Sequence, residues 1–95
     1  MTVTSGRTVT IYVDTYRIQG VSEQTWNAYR FSWIAFDPDE PEARVLFDCH
    51  EPKGPHWHID GDTAGQPFQW VGLDAAEGLF FQKIEERFGK KEGTK

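Results

Sequence analysis

Ninety-five residues with a net charge of −5 leave room for one hydrophobic core and argue against a protein built to track a long phosphate backbone, whose affinity comes from clustered Lys and Arg. The single cysteine, Cys49, excludes an intramolecular disulfide, and no apolar run approaches the roughly 20 residues a membrane helix needs. No charged segment followed by an apolar stretch opens the chain, so a cytoplasmic protein of one domain over residues 1–95 is expected.

Residues 1–6 are expected to be disordered. Residues 7–18 are rich in β-branched and aromatic types, with Val9, Ile11 and Val13 on alternate positions, which predicts a strand. Gly20 and Ser22 mark a turn into a second strand over residues 26–36. Tyr29, Phe31, Trp33 and Ala35 share one face of it, and Ala28, Arg30, Ser32, Ile34 and Phe36 the other. Both faces carry apolar bulk, so the strand is central or its second face meets something besides water.

Two prolines and four carboxylates in residues 37–42 predict an exposed hairpin loop that cannot continue a ladder. A third strand over 44–48 places Val45 and Phe47 opposite Leu46. After the turn at 52–55, a short strand over 56–60 sets Trp57 and Ile59 against His56, His58 and Asp60. Gly61 and Gly65 bracket a further turn, and Phe68 and Trp70 share a face of a last strand over 66–71.

Asp74 and Glu77 have the spacing of an N-cap and its N3 partner, so a helix should begin near Ala75. Phe80, Ile84 and Phe88 recur every four residues and, with Leu73 and Ala76, form the stripe that closes the sheet. Gly89 suits a helix end, and residues 90–95 lack an apolar anchor and are expected to be disordered. The fold class that follows is α+β: an antiparallel sheet of about five strands packed against one C-terminal helix.

No repeat, Gly-rich phosphate loop or nucleophile elbow is present. Chemistry therefore concentrates in residues 47–60, which hold all three histidines and the cysteine. His56 and His58 point the same way on a strand, roughly 6 to 7 Å apart, with Asp48 or His50 within reach across the turn.

Three readings compete. A divalent metal such as zinc would draw on Cys49, His50, His56 and His58, although the adjacent Cys49 and His50 face opposite ways on an extended strand. Acid and base work would pair two imidazoles beside a carboxylate, with phosphodiester hydrolysis as the natural case and Lys53 or Arg44 steadying the phosphate. In the third reading the histidines line a solvent-facing strand edge and bond to nearby backbone, and no cofactor is involved. The four tryptophans are expected in the core, Trp57 and Trp70 above all.

The run from Val45 through Asp48, Lys53-Gly-Pro-His-Trp-His-Ile-Asp60, then Pro67-Phe-Gln-Trp and a helix ending at Phe88 resembles the TumE-like toxin components of toxin–antitoxin modules. The likeness covers residues 44–88 and rests on Asp48, Gly54, His56 and His58, while Cys49 stands where the family often has Asn. The resemblance implies a small α+β protein partnered by an antitoxin, with RNA as a substrate by analogy to other such toxins. On it, His56 and His58 are the acid and base, Asp48 orients one imidazole and Lys53 contacts phosphate. The alternative is a noncatalytic domain that binds a protein through its aromatic sheet. Because one helix shields one face, Ile34, Phe36, Tyr12 and Tyr16 are expected to form a patch that a homodimer or an antitoxin covers.

Overall fold

The computed structural model describes residues 1–3 and 6–90. Five strands follow in chain order: β1 (Thr10–Arg17), β2 (Tyr29–Asp37), β3 (Glu40–His50), β4 (Gly54–Ile59) and β5 (Gln66–Pro67). A 3-10 turn over Trp26–Ala28 precedes β2, and helix α1 (Leu73–Phe88) ends the fold. Each strand pairs antiparallel with the next, giving one sheet in the order β1-β2-β3-β4-β5. This is the expected α+β architecture.

Register separates the two faces of the sheet. Trp33 lies opposite Phe47, and Phe47 opposite Trp57, so bulky residues of three strands form one row. Phe31, Trp33, Ala35, Val45, Phe47 and Cys49 are buried on this inner face, and Ala76, Phe80, Ile84 and Phe88 of α1 are buried against it. The rings interlock: Phe31 stacks on Trp33 at 4.0 Å, and Phe80 meets Phe47 and Trp33 at 5.3 and 5.6 Å. Burying each such side chain stabilises the fold by about 1.5 to 3 kcal/mol. Trp33 also donates from Nε1 to Thr15 Oγ1 at 2.8 Å, satisfying the polar atom of a buried ring.

Several local expectations change. Val3 is fully buried in the core with Met1 packed against it, exposed Thr2 bridges Thr8, and the Met1 ammonium donates to the Val9 carbonyl at 2.6 Å, in a segment expected to be disordered. Residues 4–5 and 91–95, included in the segments expected to be disordered, lie outside the described residues.

The acidic loop is shorter than its composition suggests, because only Pro38 and Asp39 turn and β3 already begins at Glu40. A register shift after Phe36 leaves residues 41–43 without partners on β2, so Pro41 withholds no ladder hydrogen bond. Asp37 is buried. Arg7 Nε donates to its Oδ2 at 2.6 Å and the Asp39 amide to its Oδ1 at 2.8 Å, and these bonds, the arginine's first, hold the carboxyl below its usual range.

The capping pair is also displaced. The helix starts two residues earlier, at Leu73 after Gly72, with no side-chain cap, and Asp74 falls in the first turn where its charge suits the helix dipole. The last strand shrinks to Gln66–Pro67 because the chain leaves the ladder at proline. Phe68 and Trp70 pack against the core from irregular backbone instead.

The outer face carries Tyr12, Tyr16, Ile34, Phe36 and Leu46 among polar residues. Tyr12 and Tyr16 are each 63% exposed, and Tyr12 stacks on Phe36 at 6.2 Å. No helix among the described residues is long and apolar enough to cross a membrane.

Candidate functional site

The β3–β4 hairpin sets the site. Asp48 lies opposite His56, Leu46 opposite His58, and His50 opposite Gly54, so Asp48, His50, His56 and His58 all belong to the outer face. The three imidazoles form a row with edge-on packing, at centroid separations of 5.3 Å for His50 and His56 and 4.9 Å for His56 and His58. His56 is buried, Asp48 and His58 are half-buried, and His50 is exposed.

Backbone fixes the rings. Nδ1 of His56 contacts the Gly54 carbonyl at 2.8 Å, that of His58 the Asp62 carbonyl at 2.5 Å, and that of His50 the Glu51 carbonyl at 3.2 Å. A carbonyl oxygen only accepts, so each Nδ1 carries a proton and, in the neutral ring, Nε2 holds the lone pair. Three basic nitrogens are thereby available on one strand pair.

Two glycines make this possible. Gly54 has φ 73°, and a Cβ there would come within 3.1 Å of the Trp26 ring. Gly65, with φ 75°, lies directly over the row, where a Cβ would sit 2.8 Å from His58 Cε1 and 3.2 Å from His56 Cδ2. Its loop is braced by the Asp62 carboxylate, which accepts from the Ala64 and Gly65 amides. At the end of β4, Asp60 accepts from Arg87 Nε at 2.9 and 3.0 Å and so ties the hairpin to α1. Burial acts upward on the Asp60 carboxyl, but the hydrogen bonds from Arg87 and the Arg44 amide, with both positive charges, outweigh it and leave the pKa lowered.

The structure brings His56 and His58 together and adds Asp48 and His50 beside them. A ligating atom from each of Asp48, His50 and His56 lies within 4.8 Å of the other two. Cys49 does not join them. Its side chain enters the inner face, 1% exposed, with Sγ 3.7 Å from the Tyr29 carbonyl and 3.9 Å from that of Trp26, and burial pushes the thiol up to about 11. The four-ligand metal set of Cys49, His50, His56 and His58 is therefore corrected, because strand parity sends the thiol through the sheet.

Two further contacts bear on the row. Lys53 donates to the Ala64 carbonyl at 3.2 Å and clasps the turn at 51–53 to the loop over the row. Carbonyl groups, not Asp48, orient the imidazoles. The covering role of Gly65 and the acceptor role of Asp62 were missed from the sequence; the only available signal was a glycine on each side of the histidine strand.

No protein-family model, curated protein or solved structure matches this chain.

Proposed function

We propose that the protein is a TumE-like toxin component that cleaves RNA at its histidine row. The observation that carries this reading is the row itself: adjacent imidazoles 4.9 Å apart, each with Nδ1 committed to a carbonyl and Nε2 left for proton transfer. One imidazole takes the proton of a ribose 2′-hydroxyl as its oxygen bonds to the neighbouring phosphorus. The other, as imidazolium, protonates the departing 5′-oxygen, so the P–O5′ bond breaks and a cyclic phosphate and a 5′-hydroxyl result. His56 sits deep and His58 nearer the surface, which gives the pair a buried and a reachable member.

The experiment is incubation of purified protein with a defined RNA and with the same RNA carrying 2′-deoxyribose at the cut position. Wild type should cut only the ribose substrate, and His58→Ala should lower the rate by about 10²- to 10⁴-fold. Cleavage that survives both His56→Ala and His58→Ala removes the assignment.

A partner belongs to the same reading. Tyr12, Tyr16, Phe36 and Ile34 continue across the outer face that holds the row, and burying them asks for a second copy of the chain or for an antitoxin. Light scattering behind size exclusion should give twice the 10.9 kDa chain mass for a homodimer. A species at the single-chain mass rejects the homodimer and leaves the face to a different protein.

A further inference from the structure

We infer that Asp48, His50 and His56 form a binding site for a late first-row divalent cation such as zinc. Asp48 and His50 are two apart on β3, and His56 is the cross-strand neighbour of Asp48, so the three donors occupy the corners of a triangle on one face of the sheet. Their ligating atoms lie within 4.8 Å of one another. Ligands about an ion with bonds of roughly 2.0 to 2.2 Å stand about 3.4 Å apart, so the three donors need to draw together by little more than an ångström, and the exposed His50 and half-buried Asp48 are the members with room to shift.

Two further observations support an ion here. Both imidazoles donate Nδ1–H to backbone carbonyls, Gly54 for His56 and Glu51 for His50, the kind of outer contact that holds a metal-binding ring and leaves Nε2 as its ligating atom. Among the described residues the half-buried Asp48 carboxylate makes no ion pair, although Arg30 on the neighbouring strand is engaged with Glu51 at 3.2 Å. A carboxylate in that position lacks a cation. Two nitrogens and one oxygen suit zinc or its first-row neighbours rather than calcium or magnesium, which favour all-oxygen shells. Three protein ligands leave a coordination position open on the exposed side, beside His58, which stays outside the set with its own Nε2 unengaged.

An ion on His56 takes the Nε2 that proton transfer needs, so zinc and RNA cleavage exclude each other at this ring, and binding is read without nucleic acid. Zinc chloride is titrated calorimetrically into tag-free protein, with circular dichroism confirming that each variant is folded. Wild type should bind one equivalent. Asp48→Asn and His50→Ala, at positions that are not buried, should each weaken binding by about tenfold or more, while Cys49→Ala and His58→Ala bind as wild type does. His56→Ala removes a buried ring and is not relied on. The proposal is overturned if wild type takes up no zinc, if Asp48→Asn binds unchanged, or if His58→Ala loses as much affinity as His50→Ala, which would mark surface chelation by any neighbouring imidazoles. Metal-free wild type that fails to cut RNA yet binds zinc on titration counts against the function proposed above and leaves the site standing.

Discussion

The two faces of the sheet are built from the same strands and hold opposite chemistry. On β3, Phe47 and Cys49 turn inward to aromatic rings and exclude water, while Asp48 and His50, one residue away in each case, turn outward to a row of basic nitrogens. The inner face has α1 as its cover, whereas among the described residues the outer face has the loop around Gly65 over part of its width. Stability and reactivity are thus divided by strand parity. A residue's neighbours in sequence say less about its role than the residues two positions away.

Replacing Phe80 by Ala tests the inner half of that division most severely. Phe80 is 1% exposed and touches the rings of Trp33 and Phe47, so its truncation should cost about 3 to 5 kcal/mol, a large part of the stability of so small a domain. Chemical and thermal unfolding would register it. An unchanged melting temperature would mean that the inner face does not carry the fold.

Cys49 sharpens the comparison at single-residue resolution. Its raised pKa means that the thiolate is scarce at pH 8, and its reaction with iodoacetamide should be on the order of a hundredfold slower in native than in urea-unfolded protein. Raising the pH toward about 11 should narrow that gap. Rapid native labelling would place the thiol on the outer face with the histidines.

The smallest effect concerns the margin of the inner face. Thr15→Val deletes the acceptor of the Trp33 indole, and the lost bond should destabilise the protein by about 1 kcal/mol, readable as a small drop in the urea midpoint with an unchanged slope. No drop at all would show that water replaces the hydroxyl.

Much of this division was legible beforehand because it is a matter of period. Alternation in β2 and the spacing of Phe80, Ile84 and Phe88 identified the buried side chains, and His56 and His58 were placed together by the same rule. The parity that paired them also put Cys49 on the opposite face, and its inclusion among metal ligands followed residue type over geometry. Features set by distant partners were not readable. Asp37 is buried because Arg7 meets it from thirty positions earlier, and Pro41 is tolerated because a register shift takes it off the ladder. Likewise, the carbonyls that orient the imidazoles come from turns whose path depends on Gly54 and the residues around Asp62.

The pairing of each strand with the next has a kinetic consequence. Asp48, His50, His56 and His58 belong to a single hairpin, so bringing them together requires closure of only the short turn at residues 51–53. The contact of Phe80 with Phe47 closes a loop several times longer, and loop-closure entropy grows by about 0.6 kcal/mol for each doubling of length. The chemistry-bearing part of the molecule is therefore the local part, and the part that stabilises it is non-local. A chain emerging in order from its N-terminus has the whole histidine row in hand before the residues of α1 exist to close the sheet beneath it.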